Sequence, residues 1–248
     1  MPIAFPPTPP SWSARFPMNA HDMPKAAAFR PSAYSAVVLR QLLALRDRLP
    51  GARVLDIGCG SGVLLAGAAR LGATSLCGID IEPAAADETA RLLGTLDEEV
   101  AIETWQGSLY DPVAGRRFDV ILANLPHFPM DTASVEDRLS TWSCGGDNGR
   151  RLLDPVIAGI GEHLEPDGFA LVAHNAFVGL DQTLDYAATH GLKAQVVDGI
   201  LTPIAPEKLL HMTPEVMARE AGRTIHDFGG HIFADVAVVL IEQAGSAR

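Results

Sequence analysis

The sequence predicts an α/β fold in which seven strands form a mostly parallel sheet, helices cover both faces, and the last strand is antiparallel. Apolar segments of strand length alternate with amphipathic helical segments along the chain. Most strand segments carry continuous rather than alternating apolar residues, which is typical of strands that are buried on both faces. Hydrophobic residues make up 48% of the 248 residues, enough for one large core.

The elements follow in a regular order. An amphipathic helix at about 35–49 is predicted first, because apolar side chains recur there at helical spacing. Further helices are predicted at 61–71, 83–94, about 150–163 and about 180–190. The predicted strands are 52–57, 75–80, 100–105, 118–124, 168–175, 192–198 and 233–242.

Charge and cysteine content narrow the function classes. The formal net charge of −11 would repel a phosphate backbone, which argues against a nucleic-acid substrate but leaves room for a local basic patch. Cys59, Cys77 and Cys144 form no Cys-x-x-Cys pair, so they indicate neither a disulfide framework nor a thiolate metal site. With no export signal or membrane span in the pattern, we expect a cytoplasmic protein. The oligomeric state stays open.

The glycine-rich segment 54–62 comprises the end of the first strand and the turn that leads into the next helix. Gly58, Gly60 and Gly62 would let the backbone approach a ligand closely before the next helix begins. Asp56 lies where a carboxylate would meet a ligand's ammonium group, which a dinucleotide does not carry. Asp80 ends the second strand, where its oxygens would accept both hydroxyls of a ribose. The alternative interpretation is a turn of helix-packing glycines with a capping aspartate.

This turn and Asp80 resemble the class I S-adenosylmethionine methyltransferases, and the resemblance runs from about 53 to 175. It implies a Rossmann-like fold and S-adenosyl-L-methionine as the cofactor. The family often carries an aspartate against the adenine. Here Ser108 stands at that position, so we expect the Ser108 hydroxyl, the Leu109 backbone or apolar Ile81 to hold the adenine. The implied cofactor-binding residues are Asp56, Gly58, Cys59, Gly60, Gly62, Asp80, Ile81, Ser108, Leu109 and Asn124. Cys59 is interpreted as a small buried filler rather than a nucleophile.

The fourth strand ends in a candidate catalytic tetrapeptide, Asn124, Leu125, Pro126 and His127. The Asn124 amide oxygen would accept a hydrogen bond from a substrate N–H, and Pro126 would fix the turn so that the preceding carbonyl faces the same nitrogen. Two acceptors on one NH₂ group would orient its lone pair and favour the charge that develops during attack. His127 would stack on a planar substrate or accept a proton. An Asx turn followed by proline is the structural alternative.

The tetrapeptide is similar to the Asn-Pro-Pro-Tyr motif of amino-methyltransferases that act on glutamine amides or exocyclic base nitrogens. Segments 145–149 and 28–35 resemble the release-factor glutamine methyltransferase branch. Leu125 and His127 depart from the motif, and only about 50 residues precede the core, fewer than that branch's N-terminal domain. The resemblance therefore supports N-methylation more than any one substrate.

The predicted organisation has three parts. Residues 1–20 form a proline-rich arm, for which a mobile tail is favoured over a substrate lid. Residues 21–50 form an N-terminal helical extension, and residues 51–248 form the Rossmann-like methyltransferase domain. An insertion at about 199–231 interrupts this domain, and connections of such length often lie over a binding site.

The leading hypothesis is transfer of a methyl group to an amide, amine or ring nitrogen of a small molecule or a protein side chain. The alternatives are a nucleic-acid base N-methyltransferase, a nicotinamide-dependent oxidoreductase and a non-catalytic cofactor-binding module.

Several residues late in the chain also carry possible functional groups. The spacing of His211, His226, Asp227 and His231 matches no ligand motif, so no metal is predicted. Lys208, Arg219 and Arg223 would steer an anionic substrate, although a solvated helical face is the simpler explanation. Of the two tryptophans that would wall a pocket, Trp105 is favoured over Trp142.

Overall fold

The computed structural model describes residues 30–96, 99–133, 135–136 and 142–245. The predicted proline-rich arm at 1–20 lies outside them. The helices are α1 (Ala33–Ala44), α2 (Val63–Arg70), α3 (Pro83–Leu93), α4 (Leu153–His163), α5 (Leu180–Thr189), α6 (Pro206–Leu209) and α7 (Pro214–Glu220). The strands are β1 (Arg53–Ile57), β2 (Ser75–Asp80), β3 (Ala101–Gln106), β4 (Phe118–Ala123), β5 (Leu164–Asn175), β6 (Leu192–Pro203), β7 (Ile225–Phe228) and β8 (His231–Gln243).

The strands form one mixed sheet in the order β3-β2-β1-β4-β5-β8-β6, with β7 paired to β8. Strands β1 to β5 are parallel, and β8 is antiparallel to β5, β6 and β7. The predicted fold class, including the antiparallel last strand, is confirmed. The chain adds strands on one side of β1 and then on the other, and ligand crevices of α/β sheets form at the carboxyl ends of strands where this reversal occurs.

Helices pack on both faces because consecutive strand residues point to opposite sides. Val54 and Val120 belong to one buried cluster, whereas Leu55 and Ile121 belong to the other. The first cluster includes Val38 and Leu42 of α1, and the second includes Val156 and Ile160 of α4. The predicted N-terminal helix therefore packs directly against the sheet.

The late part of the chain differs from the prediction. Strand β6 continues to Pro203, so the connection after it begins later than expected. Strand β7 lies within the predicted insertion and pairs with β8 through the two-residue turn Gly229-Gly230. Both glycines have positive φ, 68° and 89°, which tight hairpin turns require. The sheet therefore has eight strands rather than seven.

Within the described residues, none of the helices combines the length and the apolar character that crossing a membrane needs.

Candidate functional site

A cavity of about 320 Å³ lies at the carboxyl ends of β1, β2 and β4. This volume is within the range of small-molecule sites, roughly 300–1,000 Å³. Most of the wall comes from the glycine turn, the end of β2, the loop after β3 and the loop after β4. The cavity brings together all the predicted site residues except Gly62: Asp56, Gly58, Cys59, Gly60, Asp80, Ile81, Ser108, Leu109, Asn124, Leu125, Pro126 and His127.

The glycine turn folds over the end of β2. Gly58 and Gly60 have φ values of 74° and 53°, which side-chain-bearing residues rarely adopt. A Cβ atom at Gly58 would lie 2.9 Å from Cδ2 of Leu125, so the turn and the loop after β4 pack together only because Gly58 has no side chain. Gly62, with φ of 75°, precedes α2 and packs against Thr89.

Two carboxylates, Asp56 and Asp80, line the cavity beside this turn. Asp56 is 1% exposed, and its Oδ1 atom has no hydrogen-bond partner among the described residues. Burial, and then the nearby charge of Asp80, raises the pKa of Asp56 to about 8. Asp80 accepts hydrogen bonds from the amides of Gly60 at 2.9 Å and Glu82 at 3.0 Å, while burial raises its pKa. A cationic ligand group would relieve the desolvation of this pair.

The loop after β3 supplies the part of the wall predicted for adenine. Ser108 and Leu109 both line the cavity, and the Gly107 amide donates to the Asp80 carbonyl at 2.9 Å. Leu109 has φ of 47°, the one positive φ outside glycine in the described part of the chain. Such strained residues concentrate at functional sites. Ile81 is 60% exposed and also lines the cavity, leaving an apolar surface uncovered.

The preference for Trp105 over Trp142 is wrong. Trp105 is 45% exposed and lies outside the cavity, where its indole nitrogen donates to Glu103 at 3.3 Å. Trp142 lines the cavity, and its indole nitrogen donates to Oε2 of Glu82 at 2.8 Å. This contact joins the segment after β4 to the end of β2.

Asn124 follows β4 directly. Its amide nitrogen donates to Oγ of Ser35, from α1, at 3.4 Å. Because this contact uses the nitrogen, the amide oxygen keeps its capacity to accept from a ligand N–H.

His127 differs from the prediction. It is 3% exposed, its Nδ1 contacts the Leu125 carbonyl, and its Nε2 accepts from the Asn175 amide at 2.9 Å. The Asn175 contact requires a lone pair on Nε2, which leaves the proton on Nδ1. Burial lowers the pKa of His127 to about 4, so the ring is neutral. Both nitrogens are thus engaged within the protein, and the expected roles in stacking and proton acceptance do not fit.

The Leu125 carbonyl is the second acceptor that the sequence predicts for a substrate N–H. It already receives the His127 Nδ1 hydrogen bond, so one of its two lone pairs remains. His127 instead holds the loop against the end of β5.

Sequence reasoning missed the contribution of α1. Tyr34 and Ser35 line the cavity, and the Tyr34 hydroxyl donates to Oδ1 of Asn175 at 2.6 Å. The Tyr34 ring meets the His127 ring edge-on, with centroids 5.9 Å apart. Tyr34, Asn175 and His127 thus connect α1 to the loop after β4. The resemblance noted for 28–35 was the available signal.

Lys208 was interpreted as part of a solvated helical face, but it lines the cavity. Its Nζ atom lies 4.2 Å from the centroid of the Phe128 ring. Arg151, which also lines the cavity, donates to the Cys144 carbonyl at 3.1 Å. Arg219 and Arg223 lie outside the cavity wall.

The late histidines form no cluster with metal-ligand geometry among the described residues. His226 instead contacts Asp235, with 3.0 Å between Nε2 and Oδ2.

Comparison with known proteins indicates the kind of domain. A model of the ribosomal protein L11 methyltransferase (PrmA) family matches 37–130. A Methanocaldococcus jannaschii protein, provisionally named a protein N5-glutamine methyltransferase, is 28% identical over 179 residues, which cover 71% of this chain and 86% of that protein. These matches indicate a PrmA-like methyltransferase domain in this chain.

Other relatives match this methyltransferase domain over less of their length. The release factor glutamine methyltransferase of Geobacter sulfurreducens is 29% identical over 136 residues, covering 52% of this chain and 47% of that protein. The ribosomal protein L11 methyltransferase of Laribacter hongkongensis is 41% identical over 80 residues, covering 32% and 26%. The chain therefore spans less than half of either relative.

Solved structures agree with the fold. A provisionally named RNA methyltransferase of Pyrococcus horikoshii has a TM-score of 0.55 at 18% identity, with 90% of each chain covered. A second match is the E. cuniculi Mtq2-Trm112 complex, which is described as responsible for the methylation of eRF1. It has a TM-score of 0.52 at 15% identity, with 88% of this chain and 99% of that chain covered. At these identities the likeness concerns the fold.

Proposed function

We propose that this domain binds S-adenosylmethionine in the cavity and methylates an amide nitrogen of a protein side chain, of the glutamine type. The observation that carries the proposal is the single cavity that joins the Asp56 and Asp80 carboxylates to the Asn124 loop.

The residues present fit the cofactor. The unpartnered Oδ1 of buried Asp56 suits an ammonium group, and the backbone at Gly58 and Gly60 has no Cβ to obstruct a ligand. Asp80 has lone pairs left for ribose hydroxyls beyond its two amide contacts. Ile81, Ser108 and Leu109 would hold the adenine.

Bound S-adenosylmethionine would supply a methyl group activated by its sulfonium. A nitrogen–carbon bond would form as the sulfur–carbon bond breaks, S-adenosylhomocysteine would leave, and the nitrogen would release its proton to solvent. The chain mainly orients the acceptor and excludes water. Asn124 would accept from the acceptor N–H through its amide oxygen, and the remaining lone pair of the Leu125 carbonyl would accept a second hydrogen bond.

A protein amide is favoured over a nucleic-acid base for two reasons. The chain carries a net charge of −11, which repels phosphate backbones. The relative that matches over most of its length is provisionally named a protein N5-glutamine methyltransferase.

Cofactor binding is tested first by calorimetry with S-adenosylmethionine, S-adenosylhomocysteine and NAD. Micromolar binding of the first two is expected, about 1 μM corresponding to −8.2 kcal/mol. Asp80→Ala should abolish this binding. Preference for NAD, or no binding of any of the three, would refute the cofactor assignment.

Acceptor choice is then tested with labelled S-adenosylmethionine and peptides that differ only in carrying glutamine, asparagine or glutamate. Label is expected on the glutamine peptide, and Asn124→Ala should remove it. Gln195→Ala is the matched control, because this amide side chain is exposed on β6 and lies outside the cavity wall. Label on RNA instead would favour the nucleic-acid alternative.

A further inference from the structure

The cavity wall contains a lysine, Lys208, to which the proposed function assigns no role. Lys208 belongs to α6, in the connection between β6 and β7, and it is half-buried against the Phe128 ring. Among the residues that the structure describes, no carboxylate forms a salt bridge with it.

This placement has an energetic cost. Desolvation lowers the pKa of Lys208, and a cation–π contact offsets only part of the lost hydration. A negatively charged ligand group in the cavity would supply the missing partner.

The charges of the wall are also separated. Asp56, Asp80 and Glu82 lie at the ends of β1 and β2, where the cofactor is proposed to bind. The cations Lys208 and Arg151 contact Phe128 and Cys144, which pair with each other beyond the Asn124 loop. The acceptor side is therefore positive in a chain of net charge −11.

We propose that Lys208 binds a carboxylate of the methyl acceptor, so that the enzyme selects an amide with an anionic group close by. The inference rests on the proposed function, because it assigns the acceptor to the Asn124 side of the cavity. It makes Lys208 a specificity-determining residue.

The test uses protein saturated with S-adenosylhomocysteine and two probes with the same side-chain amide. N-acetyl-L-glutamine carries a carboxylate, and N-acetyl-L-glutaminamide is neutral. By calorimetry the wild type should prefer the carboxylate by about tenfold, the value of one charge-assisted contact. Lys208→Met should remove the preference, and Lys208→Arg should retain most of it.

Lys193→Met is the matched control, since Lys193 is exposed on β6 and its loss changes the net charge equally. It should keep the preference. Equal affinity for both probes, binding of neither, or a preference that survives Lys208→Met would overturn the proposal.

The affinity for S-adenosylhomocysteine separates the possible failures. Lys208→Met should leave the affinity for S-adenosylhomocysteine unchanged. A loss of this affinity would mean that Lys208 binds the cofactor's own carboxylate, which would also overturn the proposal. If wild type fails to bind S-adenosylhomocysteine, the proposed function fails, and the probe preference is measured on the protein without it.

Discussion

Cofactor binding is expected to release a proton from Asp56. This carboxyl is buried and has a pKa of about 8, raised by burial and by Asp80. Near pH 6.5 it would hold about 0.97 of a proton in the free protein. An ammonium group beside it favours the carboxylate, so the pKa should fall well below the working pH on binding.

The magnitude follows from the two titrating groups. The ligand's α-amine is already almost fully protonated near pH 6.5, so its own uptake on binding is at most about 0.05 of a proton. The net release at Asp56 is therefore about 0.9 of a proton per site.

The assay is calorimetry with S-adenosylhomocysteine in two buffers that differ in ionisation enthalpy. The slope of the binding enthalpy against buffer enthalpy gives the protons released. Asp56→Asn should show almost no release, and so should 5′-methylthioadenosine with wild type, because it lacks the ammonium group. Release below about 0.3 of a proton in wild type would refute the assignment of Asp56.

The raised pKa of Asp56 also predicts how its contribution to stability depends on pH. Because the folded-state pKa of Asp56 lies above its ordinary value of 3.8, the unfolded chain binds fewer protons between these values. The contribution of Asp56 to stability is present below about pH 4 and is lost as pH rises towards 8. Without ligand, Asp56→Asn should therefore raise the midpoint of thermal unfolding more at pH 8 than at pH 5. An equal effect at both would contradict the burial argument.

Two further substitutions test contacts of the cavity wall. Tyr34→Phe removes the hydroxyl that donates to Oδ1 of Asn175, and the side-chain nitrogen of Asn175 already has no partner among the described residues. Urea unfolding should therefore show a free energy of unfolding that is lower by about 1–3 kcal/mol. A loss below about 0.5 kcal/mol would contradict this. Gly58→Ala should cost about 1–2 kcal/mol from positive φ, plus the clash with Leu125 and weaker cofactor binding. Gly115→Ala, with φ of 75° and no neighbour within 4 Å of an added Cβ, isolates the backbone part, and equal losses at both positions would show that the clash is absorbed.

Local sequence patterns predicted most of the fold because buried parallel strands and amphipathic helices have strong periodic signals. Strand β7 was missed because it is four residues long and carries His226 and Asp227. The full length of β6 was missed because a register shift between Val196 and Asp198 interrupts its pattern, and the strand continues by pairing with β8.

Some residues of the candidate site could be predicted from the sequence and others could not. Residues at strand ends, such as Asp56, Asp80 and Asn124, were predicted because the topology places those ends together. Tyr34 and Lys208 reach the cavity from elements far away in sequence, and no local pattern records such packing. The roles of these residues follow from burial and hydrogen-bond partners, which only the folded chain provides.

His127 changes how the acceptor loop works. The sequence motif suggests that the ring at this position contacts the substrate. The His127 ring is instead buried, and its two nitrogens form hydrogen bonds with Leu125 and Asn175. Since the Leu125 carbonyl already accepts one hydrogen bond from His127, we expect Asn124 to contribute more than Leu125 to orienting the proposed methyl acceptor. Tyr34 holds Asn175, so the position of the loop depends on α1 as well as on the sheet. The N-terminal helix is thus part of the site, because Ser35 accepts the hydrogen bond of Asn124 and the Tyr34 ring contacts His127 edge-on.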